Sequence, residues 1–483
     1  MSGPGAFSRR RFLALGAAAS AGTVLTMACQ PAPPTPVPPA PPTPVPPAPP
    51  TPQVVEKIVT QVVEKAVEVT KVVEKQVVIT PTPQPQVKGV LDAWNFPLGD
   101  DDQAYIWKPL MMKFRGRYPG IEPKIEVLPW AGRREKMLAA YAAGNPPDVA
   151  YVNSDTLSLF GANGVLQDAG PILTPEAWND MPAEIVKSGI TWKGKRILVP
   201  SMFYGDSHLA NVELLKQLGY APEKATFTWQ EVLDLGAKAK AKEYFATSRS
   251  TTDWEGFVQT VWQAGGTVYN EDATKVLLDQ PPAEEAMTFV ADLFQKGYVP
   301  KEGAVGSEQE GSIATVNYFY TNKQVLSGLA DGGTVVDTVK QAPNLKFSIL
   351  EPFKNKQQVS LSNSAGWGFF NKSKNAEATA IWVNFMMEPE NLGFYCSVAG
   401  SNPSRNAAQP FWIADANARK FATVTRPFWR TNQDANYFWQ EGKTTTAPHF
   451  QAAVLGKKPV KQALADATKE LQKIVDDFWS KVK

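Results

Sequence analysis

Residues 134–164 read REKMLAAYAAGNPPDVAYVNSDTLSLFGANG. An alanine-rich helix over 134–144 stops at Gly144, a short apolar strand DVAYVNSD occupies 148–155, and another helix follows over 155–164. Upstream, GVLDAWNF (89–96) is a strand ending in aromatics, WKPLMMKFRGRYPG (107–120) a helix closed by Pro119-Gly120, and IEPKIEVLPW (121–130) a second strand. Strands alternating with helices are the pattern of a parallel, doubly wound α/β sheet. Such sheets bind ligands just beyond the carboxyl ends of their strands. Here those ends carry Trp94, Asn95 and Phe96, then Trp130, then Asn153, Ser154 and Asp155.

Downstream, KGKRILVPSMFYGDSHLANVELLKQLG (193–219) joins an extended run to a helix. TWQEVLDLGAKAKAK (228–242) is a helix that Thr228 caps, with Glu231 three residues on as the other half of a capping box. AEEAMTFVADLFQKG (283–297), 376–388 and 458–481 are helical, and FSIL (347–350) and GWGFF (366–370) are late strands. A sheet resumed after a long helical insertion implies two interleaved lobes joined by several crossings.

The ordered series GDDDQAYIWKPLMMKF, AAGNPPDVAYVNSD, NVELLKQLG, FTWQEVLDLG, WQAGG, LFQKGYVP, AGWGFFNKSKNAEATAIWVNFM and GSNPSR resembles the extracellular solute-binding proteins of carbohydrate ABC importers, the maltose-binding-like group. It spans residues 88–483. The resemblance implies a two-lobed, type II periplasmic-binding-protein-like α/β fold and a membrane permease as partner. It places hinge crossings near Pro200–Ser207, Gly328–Thr334 and Asn371–Asn375. Lobe 1 is then expected over 88–199 and 330–371, and lobe 2 over 205–327 and 375–483. Two positions depart from the family pattern. Ala210 precedes Asn211 where a Tyr-Asn pair is usual, and Asn322-Lys323-Gln324-Val325-Leu326 replaces Gly-Lys-x-Ala-Met. Both bear on hinge and ligand contacts.

A sugar offers apolar C–H faces to aromatic rings and hydroxyls to Asp, Asn, Gln and Arg. Candidate contacts at the strand ends are Trp94, Asn95, Trp130, Asn153 and Asp155, the last serving alternatively as the cap of the next helix. Asp101, Asp102 and Gln103 open the first helix, as caps or contacts. By resemblance, Tyr204 and Asp206 lie at the first hinge, Trp254 opens a helix facing the cleft, Trp367 stands where the family has a stacking aromatic, and Arg405 belongs to a loop that closes the cleft. Trp107, Trp229, Trp262, Trp382 and Trp479 sit at apolar-face spacing on helices and are expected in the core.

The 483 residues carry 49 Lys+Arg against 47 Asp+Glu, so no basic surface for nucleic acid is implied. Two histidines and two cysteines exclude a His/Cys zinc site and a disulfide framework. GKTTT (442–446) lacks the first phosphate-loop glycine, Tyr437 standing there, and no G-x-S-x-G elbow occurs. Composition leaves a carboxylate-pair glycosidase open. No cofactor is expected.

Residues 1–28 have the form of a secretory signal, with Arg9-Arg10 resembling the twin-arginine export signal and Leu25-Thr26-Met27-Ala28-Cys29 a lipobox whose Cys29 becomes lipidated. Residues 29–87 form the anchor and stalk. Fourteen of residues 31–52 are proline, an extended spacer, and 53–79 repeats VVEK as a weak helix or partly ordered spacer. The expected function is capture of a sugar or oligosaccharide outside the membrane and delivery to an ABC permease by hinge closure, by a protein that is not an enzyme. A glycerol-phosphate or polyamine ligand, or a surface carbohydrate-active hydrolase, are the alternatives.

Overall fold

Among the described residues the strands run, in chain order, β1 (Gly89–Asn95), β2 (Ile121–Val127), β3 (Val149–Asn153), β4 (Thr191–Trp192), β5 (Lys195–Arg196), β6 (Val199–Gly205), β7 (His208–Asn211), β8 (Phe347–Leu350), β9 (Ser360–Phe369), β10 (Asn402–Pro403) and β11 (Trp429–Thr431). The computed structural model describes residues 87–98, 102–130, 132–188, 190–300, 316–413, 415–431 and 437–481. The export signal, Cys29, the proline- and valine-rich segments and Asp101 lie outside the described residues.

β1 pairs in parallel with β2 and β3, with the helices Lys108–Arg117 and Arg133–Ala142 in the crossovers. Leu91 and Ala93 are buried on β1, and Val149 to Val152 are buried throughout β3, as in a strand covered on both faces. The sheet is not parallel throughout, however. Its order is β10-β6-β9-β3-β1-β2, with β9 antiparallel to β3 and β6 antiparallel to β9. The expectation of a parallel sheet therefore holds for its first three strands and fails at β9, which enters the sheet from its far end.

There are two hydrophobic cores, with Tyr437, Phe478 and Trp479 packed against both. The first is built from Leu91 to Met202 and from Ala365 to Ala422; the second runs from Ala210 to Leu361 and from Phe438 to Val475. The chain passes between them at three places among the described residues: between Met202 and Ala210, inside β9 between Leu361 and Ala365, and between Ala422 and Phe438. This corrects the expected lobes. Leu350, Phe353 and Val359 belong to the second core, while Trp382, Leu392 and Tyr395 belong to the first. No crossing falls at 371–375, because Ser373 Oγ and Asn375 Nδ2 both donate to Asp148 and fasten the helix Ala376–Met386 to β3. Nor does one fall at 328–334, where Ala330 joins Leu209, Val335 and Ile349 in a third, small cluster.

The second core is mainly helical. Thr228 and Glu231 form the expected capping box on the helix Trp229–Lys240. β7 pairs with β8 and is extended by backbone bridges at Ala210 to Leu326 and Phe245 to Gln324. Among the described residues no helix is long and apolar enough to cross a membrane.

β9 depends on a close approach at Gly366. A Cβ there would lie 1.9 Å from the carbonyl oxygen of Val199 and 2.7 Å from Pro200 Cα, both backbone atoms of β6. Gly366→Ala is therefore expected to destabilise the fold by about 3 kcal/mol, the upper part of the overpacking range. Urea unfolding would measure it, and a change under about 0.5 kcal/mol, the scale of a surface substitution, would show that β6 yields.

Candidate functional site

The parallel strands β1, β2 and β3 all end toward the crossing segment of β9, since Asn153, last in β3, lies opposite Ala365. Two buried acceptors and a hydroxyl are left over at this edge. Asn95 Oδ1, Asn153 Oδ1 and Ser154 Oγ have no hydrogen-bond partner among the described residues. Buried polar groups are almost always paired, so three together mark a place where a ligand or water completes the set. Beside them Trp130 is half-buried. Its Nε1 donates to the Pro97 carbonyl at 2.9 Å, its ring stacks on Phe96 at 5.1 Å, and the Arg133 guanidinium sits 5.1 Å from the ring centroid.

A second group assembles where the chain first crosses. Asp206 follows β6 directly and is 8% exposed. Glu255 lies in the first turn of the helix Trp254–Gln263, which Asp253 caps by accepting from Gly256 N–H at 2.8 Å. Asp331 caps the helix Gly332–Gln341, accepting from Thr334 N–H at 2.8 Å. Two helix N-termini, whose partial positive charge favours carboxylates, thus converge on one hinge. From β9, Asn363 Nδ2 donates to Glu255 Oε1 at 3.3 Å, and Tyr204 is the register partner of Asn363 on β6.

Burial and the neighbouring carboxylates raise both acids. Burial first, then the charges of Glu255 and Asp331, push Asp206 well above the usual carboxylate range. Burial and then Asp253 lift Glu255 to about 7, with its contact to Asp206 and the charge of Lys443 working the other way. Two adjacent acids in one dry site cannot both ionise cheaply, so the pair holds a proton to higher pH than ordinary carboxylates do. Among the described residues no group of His, Cys, Asp and Glu is arranged to hold a metal ion.

The structure thus gathers Asn95, Trp130 and Asn153 at the strand ends, and Tyr204 and Asp206 at the crossing. Asp155 lies in the turn Ser154–Thr156 that follows β3; its side chain is outside the described part. Asp102 is buried and accepts from Leu98 N–H at 2.7 Å, closing the loop after β1, and Gln103 Nε2 donates to the Ile125 carbonyl at 3.2 Å.

Four expected contacts lie elsewhere. Trp94 alternates with Ala93 and Asn95 and turns to the opposite face, where it is 8% exposed with Lys136 Nζ 5.0 Å from its ring. Trp367 is 1% exposed in the first core, 5.6 Å from Tyr395. Trp254 is sealed in the second core against Phe450 and Trp439, in space that Gly442 leaves open. Arg405 is spent on Asp180, with Nε to Oδ2 at 2.9 Å, and on the Met387 carbonyl at 2.7 Å. The sequence reading missed Glu255, Asp331 and Asn363. The aspartate before Gly332-Gly333 is a legible cap, and Glu255 sits beside the tryptophan that was chosen instead.

A family model described as bacterial extracellular solute-binding protein matches residues 97–392. The diacetylchitobiose binding protein DasA of Streptomyces coelicolor is 24% identical over 218 residues, 44% of this chain, so that the match spans about half of that relative (49%). An ABC substrate-binding protein of Listeria monocytogenes in complex with cycloalternan superposes with a TM-score of 0.69 at 19% identity, covering 80% of this chain and 99% of the other. Maltose-bound MalE3 of T. maritima gives 0.67 at 19% identity, covering 80% and 100%.

Two outcomes follow from these placements. Asp206 and Glu255 bind protons more tightly folded than unfolded, so their contribution to stability is complete below the ordinary carboxylate range and is lost as pH rises, that of Glu255 through about 7. The melting temperature is expected to fall between about pH 5 and pH 8, with much of the slope removed in Glu255→Gln; a flat wild-type profile would contradict the buried pair. Trp367→Ala is expected to cost about 3–5 kcal/mol in denaturant unfolding, as loss of a core ring rather than of a ligand contact.

Proposed function

This chain belongs to the bacterial extracellular solute-binding protein family, and from that premise we propose that it captures a sugar or oligosaccharide and hands it to an ABC permease. The observation that carries this reading is the set of unpaired buried groups, Asn95 Oδ1, Asn153 Oδ1 and Ser154 Oγ, beside the half-buried ring of Trp130. Hydroxyls satisfy such acceptors, and an aromatic face suits the C–H side of a pyranose. The sugars bound by the solved relatives agree with that chemistry, as does the diacetylchitobiose named for the Streptomyces protein.

The protein binds and does not turn over its ligand. A glycosidase needs its two carboxyls about 5 Å or more apart, with the sugar between them. Asp206 and Glu255 instead face one another closely enough to share a proton, which leaves no room for a glycosidic bond. Hinge closure supplies the signal: a ligand touching both the strand ends and the crossing favours the closed form by the contacts it makes only there. We assign Cys29 to lipidation and residues 29–87 to an anchor and stalk. A second reading, a cationic solute of the polyamine kind, is favoured by the four carboxylates Asp206, Asp253, Glu255 and Asp331.

Calorimetric titration with maltooligosaccharides, chitooligosaccharides and spermidine discriminates the two. A sugar is expected to bind, and Asn153→Ala to weaken it about tenfold with the melting temperature unchanged, the cost of losing one buried hydrogen bond to the ligand. Binding of spermidine alone would replace the sugar with a cation. Hydrolysis of a chromogenic glycoside that disappears in Glu255→Gln would overturn the binding-protein reading.

A further inference from the structure

A cavity of about 560 Å³ opens between the segment 402–412 and one face of the helix Ala416–Thr425. None of the residues lining it is one of the strand-end or first-crossing candidates, while Thr423 and Arg426 lie in the segment by which the chain passes between the cores for the third time. The helix contributes Arg419, Ala422 and Thr423, with Arg426 one turn further, and the facing segment contributes Asn402, Gln409 and Trp412. Its volume is that of a small-molecule site.

The lining consists of donors without a matching charge. Arg419 donates to the Trp412 carbonyl and lies 5.5 Å from the Trp412 ring centroid; Arg426 lies 5.0 Å from the ring of Phe203. Neither guanidinium pairs with a carboxylate among the described residues. The floor is Trp412, 5% exposed, whose Nε1–H has no partner among the described residues. Asn402 and Gln409 give their amide N–H groups weakly, at 3.4 Å, to the carbonyls of Phe203 and Pro403. An indole N–H can only donate, and guanidinium donors form a planar fork that matches carboxylate and phosphate oxygens. Among the described residues no carboxylate lines the cavity.

We propose that this cavity is a second binding site, for a small organic anion whose carboxylate or phosphate oxygens are held by Arg419 and Arg426 and by the Trp412 indole N–H. It gives the protein a way to bind an anionic solute, or an acidic group on a larger one, outside the site where the neutral solute is captured.

The test uses the full chain and calorimetric titration with citrate and with inorganic phosphate at constant ionic strength, chloride serving as the matched salt. Citrate binding that exceeds phosphate identifies a carboxylate site, and the reverse a phosphate site; either is expected to saturate at one equivalent. Arg419→Gln with Arg426→Gln is expected to weaken the binding at least about tenfold, and Trp412→Phe, which keeps the ring and removes the N–H, about threefold. Should the double glutamine variant not fold, Arg419→Lys with Arg426→Lys keeps the charge without the fork and is expected to bind several-fold more weakly. Absence of binding by both anions, or affinity unchanged in Trp412→Phe and in the folded arginine variants, would overturn the proposal.

Discussion

The molecule turns on β9. Its first residues lie with the second core and its last with the first, so the same ten-residue strand is structural in both halves and is also a connection between them. It pairs with β3 on one side and β6 on the other, and Gly366 allows the β6 backbone to come closer than any side chain would permit. A strand hydrogen-bonded on both edges bends as a unit. The residues between Leu361 and Ala365 are therefore the natural place for rotation of one core against the other, and for a ligand to feel both.

Placing carboxylates at that bend has a cost that the structure meets in three ways. Asp253 and Asp331 cap helices and gain the favourable end of each helix dipole. Arg249, itself almost fully buried, stands 3.5 Å from Asp253. Asp206 and Glu255 instead lie against one another, with Asn363 donating to Glu255, and both hold their protons more tightly than ordinary carboxylates. A buried acid held by a proton is ready to exchange it for another donor, and a ligand hydroxyl is one. The residues that make the hinge expensive to leave empty are then the ones that reward closure on a ligand, since an interaction present in only one of two states is what shifts their balance.

Much of this organisation was legible in the sequence. Alternating strands and helices placed β1, β2 and β3, and the rule that ligands gather beyond parallel strand ends pointed to Asn95, Trp130 and Asn153, where the unpaired groups are found. The direction of β9 was not legible. GWGFF reads as an apolar strand in either orientation, and only the chain's route through the second core decides how it enters the sheet. Trp367 and Trp254 lie in the cores for a related reason. A tryptophan between two glycines, or at the start of a helix, suits a cleft and a core equally well, and the difference lies in which way one residue faces. At the start of the helix Trp254–Gln263 the tryptophan points into the second core while Asp253 and Glu255 on either side lie with the acids at the crossing.

That one-residue offset follows from the packing of the second core. Trp254 fills space that Gly442 leaves open on the helix Trp439–Val454, and its ring meets Phe450 one helical turn or two further along. The anchored ring fixes the rotation of the helix Trp254–Gln263 about its axis, which sets where its first turn presents Glu255. Gln259, one turn beyond Glu255 on the same face, donates no freedom to that arrangement because its Oε1 accepts the Leu361 N–H of β9 at 3.1 Å. A large apolar side chain thus orients the acid beside it, and a buried amide ties the same helix face to the strand that joins the two cores. The geometry of the crossing is set from behind, by the second core, as much as by the side chains that line it.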